Sequence, residues 1–267
     1  FYKHFFLFIL LLIPHFKLFS VELNFKYYKV EDGLTSNTIY TVLQDSKGFM
    51  WFGTEYGINR FDGYTFTSFE NIPGDENSLI NNSVYSIVED DTQRLWIGTE
   101  KGVSILELNK NIIKRFTPQT SNGCIINDRV ENIILDINKI WISSSKQGVF
   151  LFQDNILTLF SFKEFQEKAN SSIWVTNIYR DLDGTLWASV NNTHHQIYIF
   201  DKEAEKFIPA FPELSKSELN TLSSYSMLET ANGTLWFGTW TNGLIKINKN
   251  DRIIKGRFLS RTGIDKI

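Results

Sequence analysis

Asp45-Ser-Lys-Gly-Phe-Met-Trp-Phe-Gly-Thr54 reads as a tight turn running into a short strand. An Asp side chain bonds its own backbone two residues on, and Gly48 tolerates the positive φ that a tight turn requires. The same reading returns at Leu95-Trp-Ile-Gly-Thr99, Ile140-Trp-Ile-Ser143, Gly184-Thr-Leu-Trp-Ala-Ser189 and Gly233-Thr-Leu-Trp-Phe-Gly-Thr239. The repeated tryptophans Trp51, Trp96, Trp141, Trp187 and Trp236 are 45, 45, 46 and 49 residues apart. Before each stands a strand-like run: Asn37 to Asp45, Asn82 to Asp90, Val130 to Asp136, Val175 to Asp181 and Tyr225 to Thr230. A period of this length, repeated this often, is the mark of a radial or stacked repeat architecture.

Each unit reads as four short strands. In the first they are Thr38 to Gln44, Phe49 to Thr54, Ile58 to Phe61 and Tyr64 to Phe69, with Asp62-Gly63 as the hairpin turn between the last two. No segment sustains a helical apolar period, which excludes a helical solenoid. The expected fold is all-β, a β-propeller of four-stranded blades, with blades over 36–69, 81–116, 127–160, 172–208 and 222–259. The repeated Trp falls on the second strand of each unit, where it would fill the wedge between neighbouring sheets. Units three and four replace the Gly-Thr after it with Ser143-Ser144 and Ser189-Val190 and are degenerate blades.

Composition agrees. Aromatic residues make up 15% of the 267-residue chain, which suits pleated, half-buried surfaces. A formal charge of −3 argues against a general nucleic-acid binder. The single cysteine, Cys124, allows neither an intrachain disulfide nor a thiolate zinc cluster. Residues 1–20 differ from the rest: Lys3 and His4 precede an apolar run from Phe5 to Ile13, and Ser20 follows. That is a signal-peptide pattern, with an apolar part short of the ~20 residues of a membrane span. The remaining residues, 21–267, are expected to form a partial propeller, and the chain, beginning with Phe, to be a piece of a longer one. Asn24 to Val30 matches the fourth-strand position, so segment 24–30 is expected to close the last blade.

Glu31-Asp-Gly-Leu-Thr-Ser-Asn-Thr-Ile39, Asp45 to Thr54 and Gly57-Ile-Asn-Arg-Phe-Asp62 together resemble two-component regulator propeller repeats, over roughly residues 24 to 260 and least in units three and four. The resemblance implies a periplasmic sensor region in the N-terminal half of a hybrid two-component histidine kinase. It also implies a seven-bladed propeller, a downstream immunoglobulin-like domain, an inner-membrane helix and cytoplasmic kinase parts. The implied ligand is an oligosaccharide or other small molecule.

A propeller gathers the loops between second and third strands on one end, with the segments that lead into the first strands. Convergent loops on a rigid frame are where ligand sites are built. The candidates are Tyr56, Lys101, Lys146, His195 and Trp240 from the former set and Arg129 and Trp174 from the latter. Aromatics would stack on sugar rings, and amides or charges would bond hydroxyls. A neutral sugar would use Tyr56 or Trp240, whereas Lys101, Lys146 and Arg129 would favour an acidic one. The pair His194-His195 lacks the partners of a closed metal site, so neither metal nor cofactor is expected. No phosphate loop, nucleophile elbow or kinase motif occurs, and no enzyme activity is expected. Two other classes stay open: an exported propeller lyase or glycosidase using Glu55 and Glu100, and a protein scaffold that includes a homodimer through the propeller side.

Overall fold

The computed structural model describes residues 25–117, 119–120, 123, 125–162, 173–191 and 196–258. The expected signal peptide over 1–20, Cys124 and the pair His194-His195 lie outside the described residues. Alternating strands and turns fold into five antiparallel sheets, each built from four strands in sequence order. Blade one holds β1 (Ile39–Gln44), β2 (Met50–Thr54), β3 (Gly57–Phe61) and β4 (Phe66–Phe69). Blade two holds β5 (Val84–Glu89), β6 (Arg94–Thr99), β7 (Gly102–Glu107) and β8 (Ile112–Arg115). A short strand β9 (Gln119–Thr120) then pairs in parallel with the outer strand of blade three. That blade holds β10 (Val130–Asp136), β11 (Lys139–Ser144), β12 (Gly148–Gln153) and β13 (Ile156–Phe160). Blade four holds β14 (Trp174–Arg180), β15 (Leu186–Asn191), β16 (Gln196–Asp201) and β17 (Lys206–Pro209). After the one-turn helix α1 (Lys216–Leu219), blade five holds β18 (Ser224–Glu229), β19 (Thr234–Thr239), β20 (Leu244–Asn248) and β21 (Ile253–Phe258).

The first strand of each blade is innermost, and β1, β5, β10, β14 and β18 meet in that order around the axis. The sheets of blades two, three and four are apolar on both faces because each is sandwiched between two others. Trp51 packs against Val84, Ile87, Leu95 and Ile97 of blade two. Trp96, Trp141 and Trp187 pack in the same way on blades three, four and five. The wedge role expected of these tryptophans is therefore what the structure shows. The Gly after the Trp has its own reason. A Cβ on Gly98 would lie 2.6 Å from a methyl of Val130 in the next blade, so only Gly allows that approach.

Among the described residues, blades one and five share no comparable strand interface. Val42 occupies the register position of Ile87, Ile133, Ile178 and Met227, which are all buried, yet Val42 is 52% exposed. At the other end Leu228 is 60% exposed and Trp236 is only half-buried. Residues 25–29 belong to no strand; Tyr28 packs edge-on against Phe61 and Phe66 at 5.0 and 5.5 Å.

Candidate functional site

The two ends of the sheets are built differently. At one end the hairpin between first and second strands is fixed by a repeated Asp. Asp45 accepts from the amides of Lys47 and Phe49 at 3.0 and 2.9 Å, and its second oxygen accepts from the Trp51 indole at 2.8 Å. Asp90 with Trp96 and Asp181 with Trp187 repeat the bond at 2.8 and 2.9 Å. The Asp thus caps a turn and also anchors the wedge tryptophan, a coupling that the six-residue spacing carries in the sequence. Blade three departs from this. Its hairpin is one residue shorter, with Asp136 opposite Lys139 and Ile137 at φ 30°, and Asp136 instead pairs with Arg180 at 3.2 Å.

At the other end, Thr54 and Thr99 donate their hydroxyls to the carbonyls of Gly57 and Gly102, closing the turns between second and third strands. Those turns carry Tyr56, Lys101, Lys146 and Trp240 outward, each exposed, with Trp240 at 76%. The structure leaves the first three standing singly in their own turns, while Trp240 lies 5.4 Å from the ring of Tyr225. His195 lies outside the described residues.

Arg129 and Trp174 come together. The guanidinium of Arg129 sits between two rings, 4.8 Å from the centroid of Tyr85 and 5.3 Å from that of Trp174. One oxygen of Glu131 accepts from Arg129 Nε at 2.8 Å, from its terminal nitrogen at 2.7 Å and from the Trp174 indole at 2.9 Å. On the far side of Tyr85 the ring of Tyr40 stacks at 4.8 Å. Tyr40, Tyr85, Arg129 with Glu131, and Trp174 thus form one row across the inner strands of blades one to four.

A β-bulge supplies Tyr40, Tyr85 and Glu131 to the row, and Arg129 and Trp174 stand just before the bulges of their own blades. Every innermost strand slips register at its start, between Ile39 and Thr41, Val84 and Ser86, Val130 and Asn132, Val175 and Asn177, and Ser224 and Ser226. A bulge frees the skipped side chain from the pleat and re-aims it. The skipped residues are Tyr40, Tyr85, Glu131, Thr176 and Tyr225; four stay open to solvent, while Thr176 is buried and donates its hydroxyl to the Ser224 carbonyl of the next blade at 2.6 Å.

The electrostatics of the row are closed internally. Burial opposes the charge on Arg129, but Glu131 outweighs it and holds the guanidinium above its ordinary pKa. Burial, and then a hydrogen bond to Glu100, push the Tyr85 phenol up. Two carboxylates, Glu100 and Glu131, therefore flank a single half-buried cation. Sequence reasoning singled out Arg129 and Trp174 but not Tyr40, Tyr85 or Glu131. Inner-strand Tyr before Ser or Thr looks like ordinary alternation unless the bulge is known.

The sequence profile of the family described as two component regulator propeller matches residues 33–56, 78–101 and 218–241, in blades one, two and five. Among curated proteins, histidine kinase P4 of Formosa agariphila is 41% identical over 54 residues, 20% of this chain and 4% of that one. Among solved structures, the extracellular domain of a one-component system from B. thetaiotaomicron matches with TM-score 0.71 at 20% identity, covering 91% of this chain and 34% of that one. A structure described as the extracellular domain of a hybrid two-component system from the same organism matches with TM-score 0.68 at 21% identity, covering 86% and 32%. The chain thus spans about a third of the solved domains and a small part of the curated kinase. No described helix is long and apolar enough to cross a membrane. The geometry and the matched segments agree: this chain is a β-propeller arc that carries two-component regulator propeller repeats.

Proposed function

We propose that the chain is the periplasmic ligand-sensing propeller of a two-component receptor, and that it binds a neutral oligosaccharide across the row from Tyr40 to Trp174. On this reading the receptor is anchored in the inner membrane. An immunoglobulin-like segment and a kinase then follow in the same polypeptide. The exposed faces around Val42 and Leu228 are covered by the blades that complete a seven-bladed ring, with segment 24–30 as the closing strand.

One observation carries the ligand class: Arg129 already has its counterion. A guanidinium bound by Glu131 and flanked by Glu100 sits among more negative charge than positive, which disfavours a further anion. What the row offers outward is aromatic surface and carboxylate acceptors, and these suit apolar sugar faces and neutral hydroxyls. Lys101 and Lys146 are exposed, and in water such charges add little. The test is calorimetric titration with panels of neutral and of uronate- or sulfate-bearing oligosaccharides. A neutral binder is expected, with affinity changing less than about twofold between low and high salt. Binding confined to anionic sugars and steeply weakened by salt would overturn the ligand class. Binding to neither panel would overturn the sugar-sensing reading.

A further inference from the structure

At the turn end, neighbouring blades are clipped together by side chains, and one seam lacks the clip. Between blades one and two, Glu89 accepts from the Ser46 amide and hydroxyl at 2.6 and 2.7 Å. Between blades four and five, Glu229 accepts from the Leu182 amide at 2.6 Å, and Lys249 bridges Asp183 and Glu229 at 2.6 Å each. Between blades three and four, Arg180 reaches Asp136. Glu89, Arg180 and Glu229 hold the same register, facing Leu95, Leu186 and Leu235. In blade three that register holds Leu135, facing Ile140, and a leucine clips nothing.

At that seam a cavity of about 300 Å³ opens over Leu135, Ile140 and Phe152. It runs on into a second of about 600 Å³, and the two share Arg94, Phe152, Asp154 and Asn155. Arg94 is held by Asp90 at 2.7 Å, and Asp136 by Arg180. Asp91 and Lys139 stand on opposite blades at the mouth, and among the described residues neither side chain has a hydrogen-bond or ion-pair partner.

We infer that this seam is a second ligand site, and that it takes the zwitterion of a short peptide or free amino acid with an apolar side chain. Asp91 receives the ammonium group, Lys139 the carboxylate, and the Leu135–Ile140–Phe152 floor the side chain. A lone anion or a lone cation would leave one of the two charges unmatched, and a neutral sugar would leave both. The site is separate from the row of Tyr85 and Trp174 and does not depend on it.

The test titrates the whole chain with leucylleucine, followed by amide resonances. Saturable binding is expected, with shifts at Ile140 and Phe152. N-acetyl-leucylleucine amide, which lacks both charges, should bind at least about tenfold more weakly, as expected when charge-assisted bonds are lost. Leu135→Glu should install the missing clip onto the Asp91 amide and abolish binding without lowering the melting temperature. Lys139→Ala, at an exposed position, should weaken binding about fivefold or more if the carboxylate is held there. The proposal is overturned by no saturable shift at tens of millimolar peptide, on the scale of a weak site. Equal binding of the blocked peptide, or undiminished binding by folded Lys139→Ala, would overturn it equally.

Discussion

The turn end and the loop end of the same sheets obey opposite rules. At the turn end the chemistry repeats: Asp45, Asp90 and Asp181 each cap a hairpin and hold the indole of Trp51, Trp96 and Trp187. At the loop end the turn residues change from blade to blade, through Tyr56, Lys101, Lys146 and Trp240, beside bulge residues Tyr40, Tyr85, Glu131 and Tyr225 that stay open to solvent. What repeats is what the packing requires. What varies is what packing leaves free, and a rigid frame carrying variable residues is how recognition is encoded. On this reading the repeated packing devices sit at the turn end and the proposed sugar row at the loop end, and each prediction below is a way to break that assignment.

The largest effect belongs to the wedge. Trp51→Ala should cost about 3–5 kcal/mol in chemical denaturation, because a buried indole and its surrounding contacts are lost together. Trp236→Ala, whose ring packs against no following blade among the described residues, should cost less than half as much. Equal losses would show that the indole contributes within its own sheet rather than between sheets.

Next comes the anchor. Asp181→Ala should cost about 2–3 kcal/mol, since the Trp187 indole and two amides lose their acceptor in a buried site. Sugar affinity should stay within about twofold, below the tenfold that 1.4 kcal/mol would produce. The reverse holds at the loop end. Trp174→Ala should weaken the oligosaccharide about tenfold while the melting temperature falls by no more than about 3 °C, the equivalent of roughly 1 kcal/mol in a chain of this size.

The pH dependence is smaller. Burial raises the Asp90 carboxyl, but bonds from Trp96, Thr92 and Arg94 outweigh it and leave its pKa below the usual carboxylate value. A depressed folded pKa gives stability that is present above the unfolded value of 3.8 and lost as pH falls through the folded one. Asp90→Asn should therefore flatten the stability curve below about pH 4 and leave its slope near neutrality unchanged. The smallest effect is Tyr56→Ala, which should move stability by no more than about 0.5 kcal/mol, as for an exposed turn residue.

The Trp spacing, the Gly-Thr turns and the Asp hairpins were legible in the sequence because each is a local device repeated at a fixed interval. Arg129 and Trp174 were also legible as residues of the segments that lead into first strands. Their meeting with Tyr85 and Glu131 was not, because Trp174 and Glu131 are 43 residues apart and meet only when blades stack. The bulge was invisible because a slipped register leaves the polar–apolar alternation intact on either side. Blade three misled for a simpler reason: Asp136 looks like its counterparts, yet the shorter hairpin at Ile137 turns it towards Arg180. The clips escaped notice because Glu89 and Glu229, at strand ends, read as ordinary solvated acids until a neighbouring blade supplies the amide.

The most direct measurement is hydrogen exchange of the whole chain with and without a saturating neutral oligosaccharide. The account predicts new protection where β5, β10 and β14 begin, around Tyr85, Arg129 to Glu131 and Trp174, and none at the Asp45, Asp90 and Asp181 hairpins. Protection appearing at those hairpins while the row around Arg129 stays unchanged would contradict it.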